Sequence, residues 1–427
     1  MTTAGETAQN ARPDGPRVAR AALTRLVEPG DDLALATVAA LGPERALTLL
    51  TGAARIEAAE RDLLADRLGQ DAFARRWSAG LARWAPRSAR LDPVRDLVAL
   101  HRLGGGLLIP EDPAWPAGLD DLGDAAPVGL WFRGRGTLPP LPRALAVVGS
   151  REATAYGRQV TRDVVACASA AGVCIVSGGA YGIDGAAHEA ALETAAAAGR
   201  RSGPGSHDDA APGVPPTVAV LAGGLDRFYP AGHERLLRAV MEEGLLLSEM
   251  PPGATPTRYR FLHRNRLIAA LSGAVVVVEA RWRSGAQNTA GHAHGLGREV
   301  GAVPGPVTSP SSAGCHRLLQ EGPTRLIADP AQALTLLEPP RPGEPPAASP
   351  ATTTRGEASR SPGRPTDGLT VEELLVHEAL PLRRAVPVDN LTSSAGLALP
   401  TVLAVLTRLE GRRLAERRGD LWRRAPE

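Results

Sequence analysis

The stretch that most limits what this chain can become runs from Ala144 to His188. Ala144–Val148 is a short apolar run of the kind that forms a buried parallel strand, and it stops at Gly149-Ser150-Arg151. Val160, Val164, Val165 and Ala168 then recur at helical spacing, which predicts a helix over about Tyr156–Ala171. Val173–Val176 reads as a second buried strand, closed by Ser177-Gly178-Gly179-Ala180-Tyr181-Gly182, and Ile183-Asp184 opens the next helix. A βαβα unit with a glycine-bearing turn after each strand places both turns at the carboxyl edge of a parallel sheet, where such folds bind ligands. Glycine lets the backbone approach a ligand, and helix N-termini offer free N–H groups to an anion. Arg151 adds a planar fork of donors that suits phosphate. The unit therefore predicts a phosphate-binding crevice.

The alternation continues downstream. Thr217–Leu221, Leu245–Ser248, Ala274–Glu279 and Glu299–Val303 read as strands, and Glu234–Glu243, Phe261–Leu271, Ala286–Leu296 and Gly314–Gln320 as helices. This predicts an α/β fold, one doubly wound domain over residues 104–338. Leu107–Leu138, with its prolines, reads as a lead-in to the sheet, and residues 196–216 as a surface insertion. Residues 1–17 read as a disordered tail and 18–103 as a helical domain. In the latter, Leu41-Gly42-Pro43-Glu44 reads either as a tight turn of the helix-hairpin-helix and SAM-like kind or as the start of a plain packing helix. The Pro/Ser/Thr-rich residues 339–368 read as a disordered linker. Residues 369–427 read as three short helices and a hairpin, a winged-helix pattern. Seven arginines between Arg408 and Arg424 face four acids over residues 408–427, so this module reads equally as a DNA-binding wing or as a protein-docking face.

Composition excludes several chemistries. All 48 basic residues are arginine, which removes any Schiff-base, Walker-type or general-base lysine. Net charge is only +2, so a nucleic-acid surface must come from local clustering. Three cysteines without CxxC spacing point to a reducing cytosol, and neither a signal peptide nor a membrane span is expected. The G-x-G-x-x-G spacing is absent after Val148, and no P-loop motif occurs. Ser177, Asp184 and His188 lack a nucleophile elbow, and His292-Ala293-His294 lacks partners at ligand spacing, so structural roles are expected for both sets. Neither a cofactor nor a metal is expected.

A second informative stretch is Phe261-Leu262-His263-Arg264-Asn265-Arg266 at a helix start. Two arginines around an asparagine, beside an aromatic, suit a phosphate chain with a base stacking nearby; the other reading is an arginine network paired with Glu249 or Glu279. The turn Arg281-Trp282-Arg283-Ser284-Gly285 after another strand, and Pro304-Gly305-Pro306 after the last, add further groups to the same edge.

The ordered series VGSR (148–151), SGGAYGID (177–184), LDRFYP (225–230), SEMPPG (248–253), FLHRNRLIAALS (261–272), VVEARWRSGAQNTA (277–290), VPG (303–305) and GCHRLL (314–319) resembles the DNA-processing protein A family, also called DprA or Smf. The resemblance covers about residues 107–328 and extends to the flanking modules, SAM-like before and winged-helix after. It implies an extended Rossmann-like domain that binds single-stranded DNA, dimerises and acts in natural transformation. Such a protein protects incoming strands and helps load the RecA recombinase past single-strand binding protein, without bond-making chemistry. Carried over by motif, Gly149, Ser150 and Arg151 would contact phosphate, with Ser177, Gly178, Gly179, Ala180 and Gly182 lining the same pocket. Phe261, Arg264, Asn265 and Arg266 would hold backbone and base, with Arg283 and Ser284 adding phosphate contacts. The stretch Gly314–Leu319 would lie near the dimer contact. Three positions depart from the family pattern: Ala231 stands where many members carry a basic residue, His233 where an asparagine is usual, and Arg283 where lysine is common. Two rival readings stand beside that resemblance: a Rossmann-type nucleotide hydrolase, whose PGGxGTxxE motif is missing, and a duplex-DNA regulator acting through residues 369–427.

Overall fold

The computed structural model describes residues 15–202, 214–282, 284–338, 369–381, 385–395, 397 and 399–425. The chain divides into two compact units, one of Met1–Thr24, Pro93–Pro256 and Arg260–Ser349, the other of Arg25–Asp92, Thr257–Tyr259 and Pro350–Glu427. Residues 1–14 of the expected tail, 203–213 of the expected insertion and the linker 339–368 lie outside the described residues, as does Arg283, whereas residues 15–17 of that tail begin the helix Gly15–Leu26.

The first unit is built on a nine-stranded sheet. In chain order its elements are α1 (Gly15–Leu26), α6 (Pro93–His101), β1 (Gly105–Leu108), β2 (Leu130–Gly134), β3 (Ala144–Val148), α7 (Ala155–Ala170), β4 (Cys174–Ser177), α8 (Ile183–Ser202), β5 (Thr217–Leu221), α9 (Glu234–Glu243), β6 (Leu245–Ser248), α10 (Arg258–Ala270), β7 (Ala274–Val277), α11 (Gly285–Gly295), β8 (Glu299–Ala302), α12 (Ala313–Glu321), β9 (Thr324–Leu326) and α13 (Gln332–Thr335). The strand order is β1-β2-β6-β5-β4-β3-β7-β8-β9. Every pairing from β6 to β9 is parallel, while β1–β2 and β2–β6 are antiparallel.

The strands are apolar on both faces because helices cover both. Ala144, Ala146 and Val148 face Leu267, Ala269 and Ala290, whereas Leu145 and Val147 face Val164, Val165, Ile183 and Ala187. From β3 the chain winds through β4 and β5 to β6, then returns to β7 on the other side of β3. The winding direction reverses between β3 and β7. Connections leave the sheet there in opposite directions and open a crevice at the carboxyl ends of the strands.

Three features differ from the sequence reading. The lead-in segment forms β1 and β2, which extend the sheet at β6; the proline-rich stretch Pro110–Pro116 hides their pairing. Trp131 on β2 is fully buried, and its indole N–H donates to Thr24 Oγ1 at 3.1 Å. The helix α8 runs to Ser202, because the alanines where the insertion was expected to begin are strong helix formers. A short edge strand, β9, follows α12.

In the second unit, α2 (Asp32–Leu41), α3 (Pro43–Leu50), α4 (Ala58–Leu68) and α5 (Gln70–Ser88) form its N-terminal part. Gly42, at φ +77°, ends α2 and Pro43 opens α3. The C-terminal part consists of α14 (Val371–Ala379), β10 (Val386–Pro387), α15 (Val388–Ala395), α16 (Leu399–Gly411), β11 (Ala415–Arg418) and β12 (Leu421–Arg424), with strand order β10-β12-β11. Val402, Val405, Leu406 and Leu409 of α16 pack on Leu375, Val376 and Trp422. Leu403 on the same helix is 43% exposed.

Candidate functional site

The turns after β3, β4 and β7 are fastened to one another at the switch point. Thr154 caps α7, its hydroxyl accepting from Gly157 N–H at 3.1 Å. The carboxylate of Glu279, just past β7, accepts from Thr154 N–H at 3.0 Å and from its hydroxyl at 2.6 Å. Ser150 accepts Ile183 N–H on its carbonyl at 3.1 Å, which ties the β3 turn to the start of α8. This closure needs a glycine at position 182. Its φ is +82°, and a Cβ there would lie 2.1 Å from the Ser150 carbonyl oxygen.

Arg264 forms the floor. It is 5% exposed and donates from Nη1 to Val220 O at 2.7 Å, while its Nε is buried without a partner. Its guanidinium lies where a side chain on residue 178 would be, since a Cβ on Gly178 would sit 1.8 Å from Nη1. Burial pulls its pKa down to about 10, the neighbouring Arg151 in the same direction and Asp184 against it, so it stays charged at neutral pH. Asp184 is itself buried. Burial pushes its carboxyl above the usual range, opposed by Arg264, the Ala180 N–H, Arg151 and the Gly149 N–H.

Above the floor sits Phe261. The Arg151 guanidinium carbon lies 4.8 Å from the ring centroid and that of Arg264 5.6 Å. Tyr229 approaches the same ring with centroids 5.8 Å apart. Arg151 is exposed and Phe261 half-buried, so one partly open aromatic ring carries two cations. Tyr181 stands edge-on to His233 at 4.6 Å, and His233 Nδ1 is 3.1 Å from Gly179 O.

Of the expected site residues, Gly149, Ser150, Arg151, Gly178, Gly179, Ala180, Gly182, Phe261 and Arg264 come together here. Others do not reach the surface. The hydroxyl of Ser177 donates to Val147 O at 2.7 Å inside the sheet. Arg266 is 3% exposed and bidentate on Glu249, at 2.8 and 2.7 Å, with a further bond from Nε to Ala125 O. That is the paired arginine of the alternative reading. Asn265 donates to Gly285 O at 3.2 Å and Asn288 Oδ1 at 3.1 Å, which seats the start of α11. The amides of Gly149 and Ala180 face Asp184, so they are not bare as expected. Ser284 caps α11 without a side-chain bond to the helix, and its hydroxyl is buried without a partner.

Sequence reasoning passed over a row of aromatics. Tyr156, Tyr181, Tyr229 and Trp282 are 45%, 47%, 50% and 54% exposed, and they follow the carboxyl ends of β3, β4, β5 and β7 respectively. In a chain with only 3% aromatic residues, that placement along one edge is the signal. Ala231 lies exposed beside this row and supplies no charge.

The hydrolase reading finds no nucleophile–base pair among these residues. His188 is fully buried with Nδ1 2.7 Å from Thr217 Oγ1, and burial holds its pKa at about 3. In the C-terminal part, much of the arginine excess is consumed internally. Buried Glu373 accepts from Arg408 at 2.7 Å and Arg412 at 3.5 Å, and Glu416 holds Arg418 at 2.9 Å and Arg423 at 2.5 Å.

The family model for DNA recombination-mediator protein A matches residues 106–338, the whole span of the crevice. The chain belongs to this family. The DNA processing protein DprA of Mycobacterium tuberculosis is 44% identical over 339 residues, which is 77% of this chain and 79% of that protein. That of Streptococcus pneumoniae is 39% identical over 211 residues, covering 49% of this chain and 67% of the relative. The X-ray structure of the S. pneumoniae protein superposes with a TM-score of 0.53 at 28% identity, over 76% of this chain and 98% of that one. DprA membership accounts for the ordered motifs along the carboxyl edge. Among the described residues no helix is long and apolar enough to cross a membrane.

Proposed function

We propose that this DprA-family chain is a single-stranded-DNA-binding recombination mediator. It holds the strand along the carboxyl edge of the first unit's sheet, protects it, and helps load RecA onto it past single-strand binding protein during natural transformation. The observation that carries this reading is the Arg151–Phe261–Arg264 cluster set in a row of exposed aromatics. Phosphate binding alone would need only the arginines. Exposed rings beside them supply stacking platforms, and only unpaired bases can reach such platforms. Arg151 takes phosphate, Arg264 supplies a fixed positive floor, and Phe261 takes a base.

The remaining parts of the proposal rest on the family pattern. The protein acts in the cytosol by binding rather than by bond-making chemistry, and it pairs as a homodimer near Gly314–Leu319, which sets two grooves on one strand and raises avidity. The helical segment before the sheet is SAM-like, and the module at 369–427 is winged-helix-like. The internal pairing of its arginines weighs against a duplex regulator that acts through it.

The test is a titration of the full chain against single- and double-stranded oligonucleotides of equal length at two salt concentrations. Single strands are expected to bind more tightly, with affinity falling steeply as salt rises through counterion release. Faster RecA filament growth on a strand coated with single-strand binding protein is expected when the chain is added. Equal affinity for both DNA forms would overturn the reading.

A further inference from the structure

Trp282 is the most exposed ring of the aromatic row. It lies in the turn between β7 and α11, on the opposite side of the switch point from Phe261. Its position is fixed from several sides. Gln287 Nε2 donates to the carbonyls of Arg281 and Trp282 at 2.7 and 2.8 Å. The Arg281 guanidinium meets the Glu152 carboxylate at 2.5 Å, which joins this turn to the residue beside Arg151. Arg317 lies with its guanidinium carbon 5.2 Å from the indole centroid, and Glu321 holds that arginine at 2.5 Å.

An indole on a tied-down stretch of backbone, with a cation against its ring and still 54% exposed, has the properties of a stacking platform rather than of packing. Adjacent strands are about 4.8 Å apart, so the turn after β7 stands one strand spacing from the β3 turn that carries Arg151. We propose that Trp282 is a second base-stacking platform. The strand held at Phe261 and Arg151 continues across the switch point, and a further base lies on the open part of the indole. The inference rests on the single-strand reading and adds a direction to it, from Tyr229 past Phe261 and Arg151 to Trp282.

The test compares Trp282→Ala, Trp282→Phe and Arg151→Ala in the full chain by fluorescence anisotropy. The probes are labelled oligo-dT and the same oligonucleotide with abasic sites throughout. Trp282→Ala is expected to weaken oligo-dT binding about fivefold to a hundredfold, the range one base–aromatic stack is worth. It should leave the abasic strand unaffected and the salt dependence unchanged, because no charge is removed. Trp282→Phe should restore most of the loss. Unchanged oligo-dT affinity for Trp282→Ala, or an equal loss on both probes, would overturn the platform. If Arg151→Ala weakens both probes in that same series, the single-strand reading survives the platform's failure; if Arg151→Ala also changes nothing, that reading falls with it.

Discussion

Replacing Arg151 by alanine is expected to weaken single-strand binding by about tenfold to a hundredfold, the worth of a hydrogen bond made by a charged group. Arg151 is exposed and stacked over Phe261, so its side chain is held near the groove without being used up by an internal carboxylate. A phosphate carries no base identity, so the loss should be the same factor for oligo-dT, oligo-dA and mixed sequences. Removing one phosphate contact should also make the dependence of log affinity on log salt shallower by about 0.7. Fold stability should be unaffected, since the side chain lies on the surface. An anisotropy titration over a salt series reads both quantities. A loss that varies strongly with base sequence, or a salt slope that does not move, would remove Arg151 from the phosphate path.

Replacing Glu249 by alanine is expected to have the largest effect on stability. It strands the Arg266 guanidinium, 3% exposed, without its bidentate partner. Breaking a buried pair from one side costs about 3–5 kcal/mol, because the remaining charge stays desolvated. Urea unfolding followed by tryptophan fluorescence should show a clear fall in midpoint. The double variant Glu249→Leu/Arg266→Met should recover much of that loss, because it removes both charges and keeps apolar volume. It should also bind a single strand as the parent does. If the double variant folds well but binds poorly, Arg266 touches DNA after all.

These two arginines also show how far the sequence could be read. The buried strands were legible because a parallel sheet covered on both faces demands continuous apolar runs, and Thr217–Leu221 and Leu245–Ser248 appear with the bounds their composition indicates. The turns were legible because glycine and a helix start follow each run. The roles within Phe261–Arg266 were only half legible. Residues two apart on a helix do not share a face, so Arg264 and Arg266 cannot serve one groove; the sequence alone does not say which one lies beneath it. Both are buried, and their partners decide it: Arg266 is paired with Glu249, whereas Arg264 donates to Val220 O and lies beside Phe261. A structural role was expected of Asp184, but its partners were hidden for a related reason. Its carboxyl faces amides from two separate turns, and only the folded sheet edge brings those together. The arginines of β11 and β12 left a DNA-binding wing and a protein-docking face equally open, because the pairing of Arg423 and Arg418 with Glu416 is a matter of register.

The central claim is that an unpaired strand lies across the carboxyl edge at the reversal between β3 and β7. Hydrogen exchange of the full chain with and without a saturating single-stranded oligonucleotide tests it most directly. The account predicts slowed exchange in the turns at residues 149–152, 178–182 and 279–287 and at the start of α10, with the opposite edge of the sheet unchanged. Protection confined to residues 369–425, with those turns exchanging as in the free protein, would contradict it.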